Sequence, residues 1–118
     1  MNDRRTEWTI VFFRGQGGDP VREFINRLDP KTQARFAWSI EQLRLRNVSA
    51  REPLAKHVEG KIWELREESR TNIYRILYFT TSGRKIVLLH GFQKKTEKIP
   101  RREIEIAVRR LNEFLASE

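Results

Sequence analysis

Ile73-Tyr74-Arg75-Ile76-Leu77-Tyr78-Phe79-Thr80, then Thr81-Ser82-Gly83-Arg84, then Ile86-Val87-Leu88-Leu89-His90-Gly91-Phe92: this stretch decides the fold. Its outer parts are rich in β-branched and aromatic residues, as strands are. The four residues between them are turn formers, so the two strands should close into a hairpin. Just upstream, Ile62-Trp63-Glu64-Leu65-Arg66 repeats with a period of two. Trp63 and Leu65 share one face, and Glu64 and Arg66 the other. Three strands joined by short connections predict an antiparallel meander.

Downstream the period changes to that of a helix. Pro100 opens it, and Ile104, Ala107, Val108, Leu111 and Leu115 recur as one apolar stripe. Glu105 and Arg109 are spaced for an i,i+4 pair. Upstream, Asp29-Pro30 and Asp19-Pro20 each place a capping residue before a first-turn proline. The segment after Asp19 carries Val21, Phe24, Ile25 and Leu28 at helical spacing. The segment after Asp29 carries Phe36, Ile40 and Leu43, with Ala37 beside them, and should end near Asn47. These make a helical hairpin. Trp8 to Phe13 reads as a strand, and Gly15-Gln16-Gly17-Gly18 as a turn whose spacing matches no phosphate-binding loop. The expected order is β-α-α-β-β-β-α. The expected fold is a single α+β domain over residues 1–118, with a small antiparallel-rich four-stranded sheet, helices gathered on one face, and a C-terminal helix. The stretch Leu54-Ala55-Lys56-His57-Val58-Glu59-Gly60 is expected to be a loop leading into the sheet.

The chain has 118 residues and a net charge of +8. Of its 24 basic residues 17 are arginine, whose planar fork matches phosphate oxygens in pairs. That bias favours a polyanionic partner over mere solubility. There is no cysteine, which excludes disulfides and thiolate metal sites. No leader is visible after Met1-Asn2-Asp3-Arg4-Arg5, and no apolar run approaches the roughly 18 residues of a membrane span. A cytoplasmic protein with no membrane partner is the simplest expectation.

Metal chemistry has little to stand on. The only histidines are His57 and His90, and Asp3, Asp19 and Asp29 are terminal or in capping positions. No ligand spacing appears, so neither metal nor cofactor is expected. No serine sits in a nucleophile context, and nothing singles out two of the 13 glutamates as a glycosidase pair.

The remaining chemistry is cationic. Arg75 sits mid-strand, with Ile73 and Leu77 on its own face. A charge there is costly unless it is paired or faces a polar site. Either it bridges to Glu64 or Glu67 on the neighbouring strand, or it serves a functional site. Arg66 lies on the preceding strand, where solvent exposure is the plain reading. Lys94-Lys95 follow the last strand, and Lys98, Arg101 and Arg102 come soon after. Together these could floor a phosphate-binding face with aromatic neighbours for base stacking. His57 could act as general acid or base or be a surface histidine. His90 reads as a hydrogen-bonded strand residue.

Four segments in order carry a family resemblance: Gly60-Lys61-Ile62-Trp63-Glu64-Leu65-Arg66, Tyr74-Arg75-Ile76-Leu77-Tyr78, Leu89-His90-Gly91-Phe92-Gln93-Lys94-Lys95-Thr96, and Ile99-Pro100-Arg101-Arg102-Glu103-Ile104. The chain resembles the phage-derived HigB branch of the RelE/ParE toxin superfamily over nearly its whole length. The resemblance implies a type II toxin–antitoxin toxin. Such a toxin is held by a cognate helix-turn-helix antitoxin, reaches operator DNA only through it, and cleaves mRNA on the ribosome without metal. It implies catalytic roles for Arg66, Arg75, Lys95 and His57 and RNA-binding roles for Lys56 and Lys94; Lys98, Arg101 and Arg102 are expected from the basic run itself to bind RNA with them. Some relatives in that superfamily carry a catalytic tyrosine in the last helix. This chain has none beyond Tyr78, which leaves the general base open. Two rival readings remain: a ParE-like gyrase inhibitor that cleaves nothing, and a non-enzymatic phage-derived binding or regulatory module.

Overall fold

A computed structural model describes residues 7–46 and 54–118. The elements run β1 (Thr9–Phe12), α1 (Pro20–Asn26), α2 (Pro30–Arg46), β2 (Ala55–Glu59), β3 (Ile62–Ser69), β4 (Asn72–Thr80), β5 (Lys85–Lys94) and α3 (Arg101–Ser117). The expected end of α2 at Asn47 falls outside the described residues. The strands form one mixed sheet in the order β1-β5-β4-β3-β2. β2 through β5 are antiparallel neighbours, as the meander predicts. β1 lies parallel to β5, with Thr9 opposite Lys85 and Phe12 opposite Leu88.

The sheet has five strands, not the four expected, because Ala55–Glu59 is a strand and not a loop. Its alternation is hard to see: it is a short edge strand whose Lys56 and His57 are exposed, and charge on an edge is how proteins discourage further pairing. Gly60 takes φ +52 in the turn that joins it to β3. That backbone conformation is cheap for glycine and costly for most other residues.

The helices are not gathered on one face. Val21 and Phe24 of α1 and Phe36 and Leu43 of α2 pack with Leu65, Tyr74, Ile76, Tyr78, Ile86 and Leu88. Ala107 and Leu111 of α3 pack with Ile62, Leu77, Phe79, Val87 and Leu89. The alternating strand residues thus go to two separate cores on opposite sides of the sheet. The long apolar runs of β4 and β5 are the mark of strands buried on both faces. Leu115, expected in the α3 stripe, is 42% exposed. Phe114 takes its place, meeting the Phe79 ring edge-on at 5.9 Å.

The two Asp-Pro starts differ. Asp29 caps α2: its carboxylate accepts from the Thr32 backbone N–H at 3.1 Å and from the Thr32 hydroxyl at 2.7 Å. Asp19 makes no side-chain cap for α1. It pairs with Arg22 at 3.1 Å, while its own N–H donates to Glu23 Oε2 at 2.8 Å. That resembles half of a capping box, with the carboxylate one residue later, at N4 instead of N3.

Between Leu77 and Tyr78 the β4–β5 register slips. Tyr78 faces Leu88, yet Leu77 faces His90, so Leu89 is an extra residue, a β-bulge. A Cβ on Gly91, just beyond it, would overlap the Phe24 ring, so only glycine lets α1 seat there.

Candidate functional site

The bulge decides which side of the sheet the end of β5 serves. Counting by twos from Ile86 and Leu88, residues 90, 92 and 94 would join the α1/α2 face. The extra residue reverses the phase, so His90, Phe92 and Lys94 share the α3 face with Val87 and Leu89. Arg75 is opposite Phe92, Ile73 opposite Lys94, and Arg66 opposite Arg75. Lys56 is opposite Glu64, which is opposite Leu77. Directly paired residues lie on one face. Lys56, Arg66, Arg75 and Lys94 therefore stand together across four adjacent strands, beyond the part of the sheet on which α3 packs.

At the base of this cluster lies Arg75, only 3% exposed. Its Nε donates to Glu64 Oε1 at 2.8 Å and its Nη1 to the Tyr74 carbonyl at 2.9 Å. Glu64 is 6% exposed, and the same Oε1 lies 3.5 Å from Arg66 Nε. One buried carboxylate thus ties two arginines on neighbouring strands. The salt bridge weighed for Arg75 is present, with Glu64 as partner. Glu67 faces the other way and accepts from the Ser39 hydroxyl at 2.8 Å.

Among the described residues, Glu64 is the one carboxylate placed among these four cations. Lys94 registers this. Burial holds its ammonium below the usual lysine range; Arg75, Arg66 and Lys56 push it lower, and Glu64 opposes them. A lysine poised this way releases and donates a proton more readily than an ordinary one. The arrangement can hold an anion over the sheet and move a proton at its edge.

The other residues singled out in the sequence lie elsewhere. His57 is opposite Trp63 on the α1/α2 face. Its ring meets Trp63 edge-on at 5.2 Å, and its Nε2 lies 2.8 Å from the Gly60 carbonyl. Lys95 and Lys98 are exposed and follow the end of β5. Arg101 grips Glu59 with both terminal nitrogens, at 2.6 and 2.9 Å, joining α3 to β2. Arg102 is exposed, 3.9 Å from Glu103. The aromatic neighbours are not open for stacking. Tyr74 and Tyr78 belong to the opposite core, and Phe92 is buried against the His90 ring, 5.6 Å away and nearly parallel.

A second polar cluster sits beneath α3. His90 Nε2 lies 2.8 Å from Glu103 Oε1, and Arg110 Nη1 lies 3.2 Å from His90 Nδ1. A guanidinium only donates, so Nδ1 accepts and Nε2–H gives its proton to Glu103. Burial keeps this imidazole below the usual histidine range, against the pull of Glu103, and Arg110 and Arg109 add to the lowering. Arg110 also donates to the Leu89 carbonyl at 2.9 Å. Both ring nitrogens are engaged, which suits a structural tie between β5 and α3.

No group of three or more His, Cys, Asp or Glu side chains able to hold a metal occurs among the described residues. None of the described helices is long and apolar enough to cross a membrane. No protein of curated function matches the chain. A family profile does: phage derived protein Gp49-like (DUF891) matches residues 23–112, from the first turn of α1 to the last turns of α3.

Proposed function

We propose a function from one premise: the chain belongs to the Gp49-like family of phage-derived proteins, which is related to toxin–antitoxin toxins of the RelE type, themselves endoribonucleases. On this reading the protein is the toxin of a type II pair and a metal-independent endoribonuclease acting on mRNA, with the ribosome as its setting. The observation that carries the proposal is the cationic cluster, four basic side chains from four strands on one face, about the buried carboxylate of Glu64.

The reaction uses the substrate's own 2′-hydroxyl. Its oxygen bonds to the adjacent phosphorus as its proton passes to a solvent water. The bond from phosphorus to the 5′-oxygen breaks, and that oxygen takes up a proton. The products are a 2′,3′-cyclic phosphate and a 5′-hydroxyl end. Arg66 and Lys94 face the phosphate and stabilise the charge that builds on it. Lys94 also donates the proton to the leaving oxygen, a role that the sequence alone suggested for Lys95 or His57. Arg75 acts from below: it adds positive field and fixes Glu64, which in turn orients Arg66. Lys56 extends the cationic rim. The partner is a helix-turn-helix antitoxin that brings acidic surface to this face.

The test is cleavage of mRNA on programmed ribosomes by the purified protein, with chemical analysis of both new ends. Cyclic-phosphate and 5′-hydroxyl ends, lost with Lys94→Ala, support the proposal. Intact RNA, or ends bearing 5′-phosphate, overturns it. Growth arrest with DNA breaks and no new RNA ends points to the gyrase-inhibitor reading instead.

A further inference from the structure

The β3–β4 hairpin ends on the two-residue turn Arg70-Thr71, with Ser69 paired to Asn72. Arg70 adopts φ +56. Glycine or asparagine would relieve that conformation, so an arginine here holds a long cation at an exposed tip at a cost in backbone energy. Beside the tip is an open cleft of about 620 Å³, lined by Asp29, Lys31, Arg35, Ser69, Arg70 and Asn72. Arg35 is steered into it by a 2.5 Å bond from Nη1 to the Glu68 carbonyl. The one carboxylate in the lining, Asp29, is committed to Thr32 and lies 3.5 Å from the Ser69 hydroxyl. Three cations from α2 and the hairpin tip thus line a cleft whose acid is already hydrogen-bonded.

Four residue steps along β3 and into its turn separate Arg66 from Arg70, about 13 Å at the ordinary strand rise of about 3.3 Å per residue. The cleft lies on the α2 side of the sheet, so a single strand of RNA held at the cationic cluster on the α3 face reaches it by crossing the hairpin tip, within several nucleotides. We infer that Lys31, Arg35 and Arg70 form a second phosphate subsite, which takes the backbone of the RNA flanking the scissile position as it passes over the hairpin tip. The inference rests on the RNA-cleaving reading and adds to it a path and a length requirement. Phosphate contacts of this kind position a strand without reading its bases, so the subsite binds any sequence. The exposed Glu68 carboxylate lies on β3 between the two sites, so Glu68→Gln should tighten the grip on long strands.

The test compares 2′-O-methyl oligouridylates of three and twelve nucleotides, which cannot be cleaved, binding to the full chain and to the double variant Lys31→Ala/Arg70→Gly. Glycine relieves the left-handed turn, so this variant should fold at least as well as the parent. The twelve-nucleotide strand should bind the variant about tenfold more weakly, and its log-affinity against log-salt slope should shrink by about 1.4 for two lost contacts at about 0.7 each. The trinucleotide should bind both proteins alike. An unchanged slope and affinity for the longer strand, or equal losses for both strands, overturns the subsite while leaving the cationic cluster standing. If neither strand binds the parent protein, the subsite falls, and the ribosome assay alone decides the RNA-cleaving reading.

Discussion

Two polar clusters share the α3 face of the sheet, and they solve opposite problems. In the one beneath α3, Glu103, His90 and Arg110 form a chain in which each ring nitrogen has its complement. In the one beyond it, the Glu64 carboxylate serves two arginines, and Lys56 and Lys94 stand on the same face of the flanking strands. The first cluster is complete within the protein and ties an element down. The second gathers basic side chains from four strands onto one face. Matched polar networks stiffen a structure, whereas crowded like charges that shift a neighbouring lysine are a feature of sites that bind.

The sharpest way to break this contrast is to remove Glu64. Glu64→Ala leaves the Arg75 guanidinium buried without its carboxylate, which should cost about 3–5 kcal/mol of stability, read by urea denaturation. If the midpoint hardly moves, Glu64 is not what makes Arg75 tolerable, and the two clusters are less different than their geometry implies. Next in size are Arg66→Ala and Lys94→Ala. Each should lower RNA cleavage roughly a hundred- to a thousandfold, the equivalent of about 2.7–4 kcal/mol of lost charge stabilisation, with little change in urea midpoint. Arg75→Ala should lose both cleavage and stability, since Arg75 belongs to the foundation as much as to the field.

His90 supplies a smaller, pH-dependent effect. Its folded pKa lies below the ordinary histidine value of 6.5. Between those two values the unfolded chain binds more protons, so stability rises with pH there. The contribution is fully present above about 6.5 and is lost as acid carries the pH down through the lowered value. Protonation also puts a hydrogen on Nδ1, against the Arg110 donor. His90→Gln should flatten this slope in denaturation curves taken at stepped pH, and leave cleavage at neutral pH nearly untouched. The smallest effect belongs to Arg101→Ala. Its bridge to Glu59 is at the surface, where salt and solvent screen it. A measurable loss of cleavage there would extend the working site past the sheet and onto α3.

The helices, the three-strand meander and the β4–β5 turn were legible because each rests on local pattern: apolar period, capping pairs, turn residues. Arg75 was legible as a problem, since a guanidinium between Ile73 and Leu77 needs a reason, and Glu64 was named among its candidate partners. β2 was not legible, because an edge strand carrying Lys56 and His57 lacks a clear apolar alternation. Nor was the assignment of helices to faces. β4 and β5 are apolar on both sides, so their composition cannot say that α3 lies opposite α1 and α2. The place of Lys94 was hidden for a different reason. Plain alternation along Ile86–Lys94 puts it on the wrong side, and only the pairing with β4 reveals the slip at Leu89.

That slip has a price in mutability. Gly91 receives Phe24 on one side, and Lys94 joins the cations on the other, because both sit downstream of the same supernumerary residue. Delete Leu89 and the two exchange sides: α1 loses its berth, and an ammonium is driven into a greasy interior. Substitutions along β5 can drift one at a time, but a change in its length cannot, so the spacing from Leu88 to Lys94 is more tightly bound than any single side chain within it.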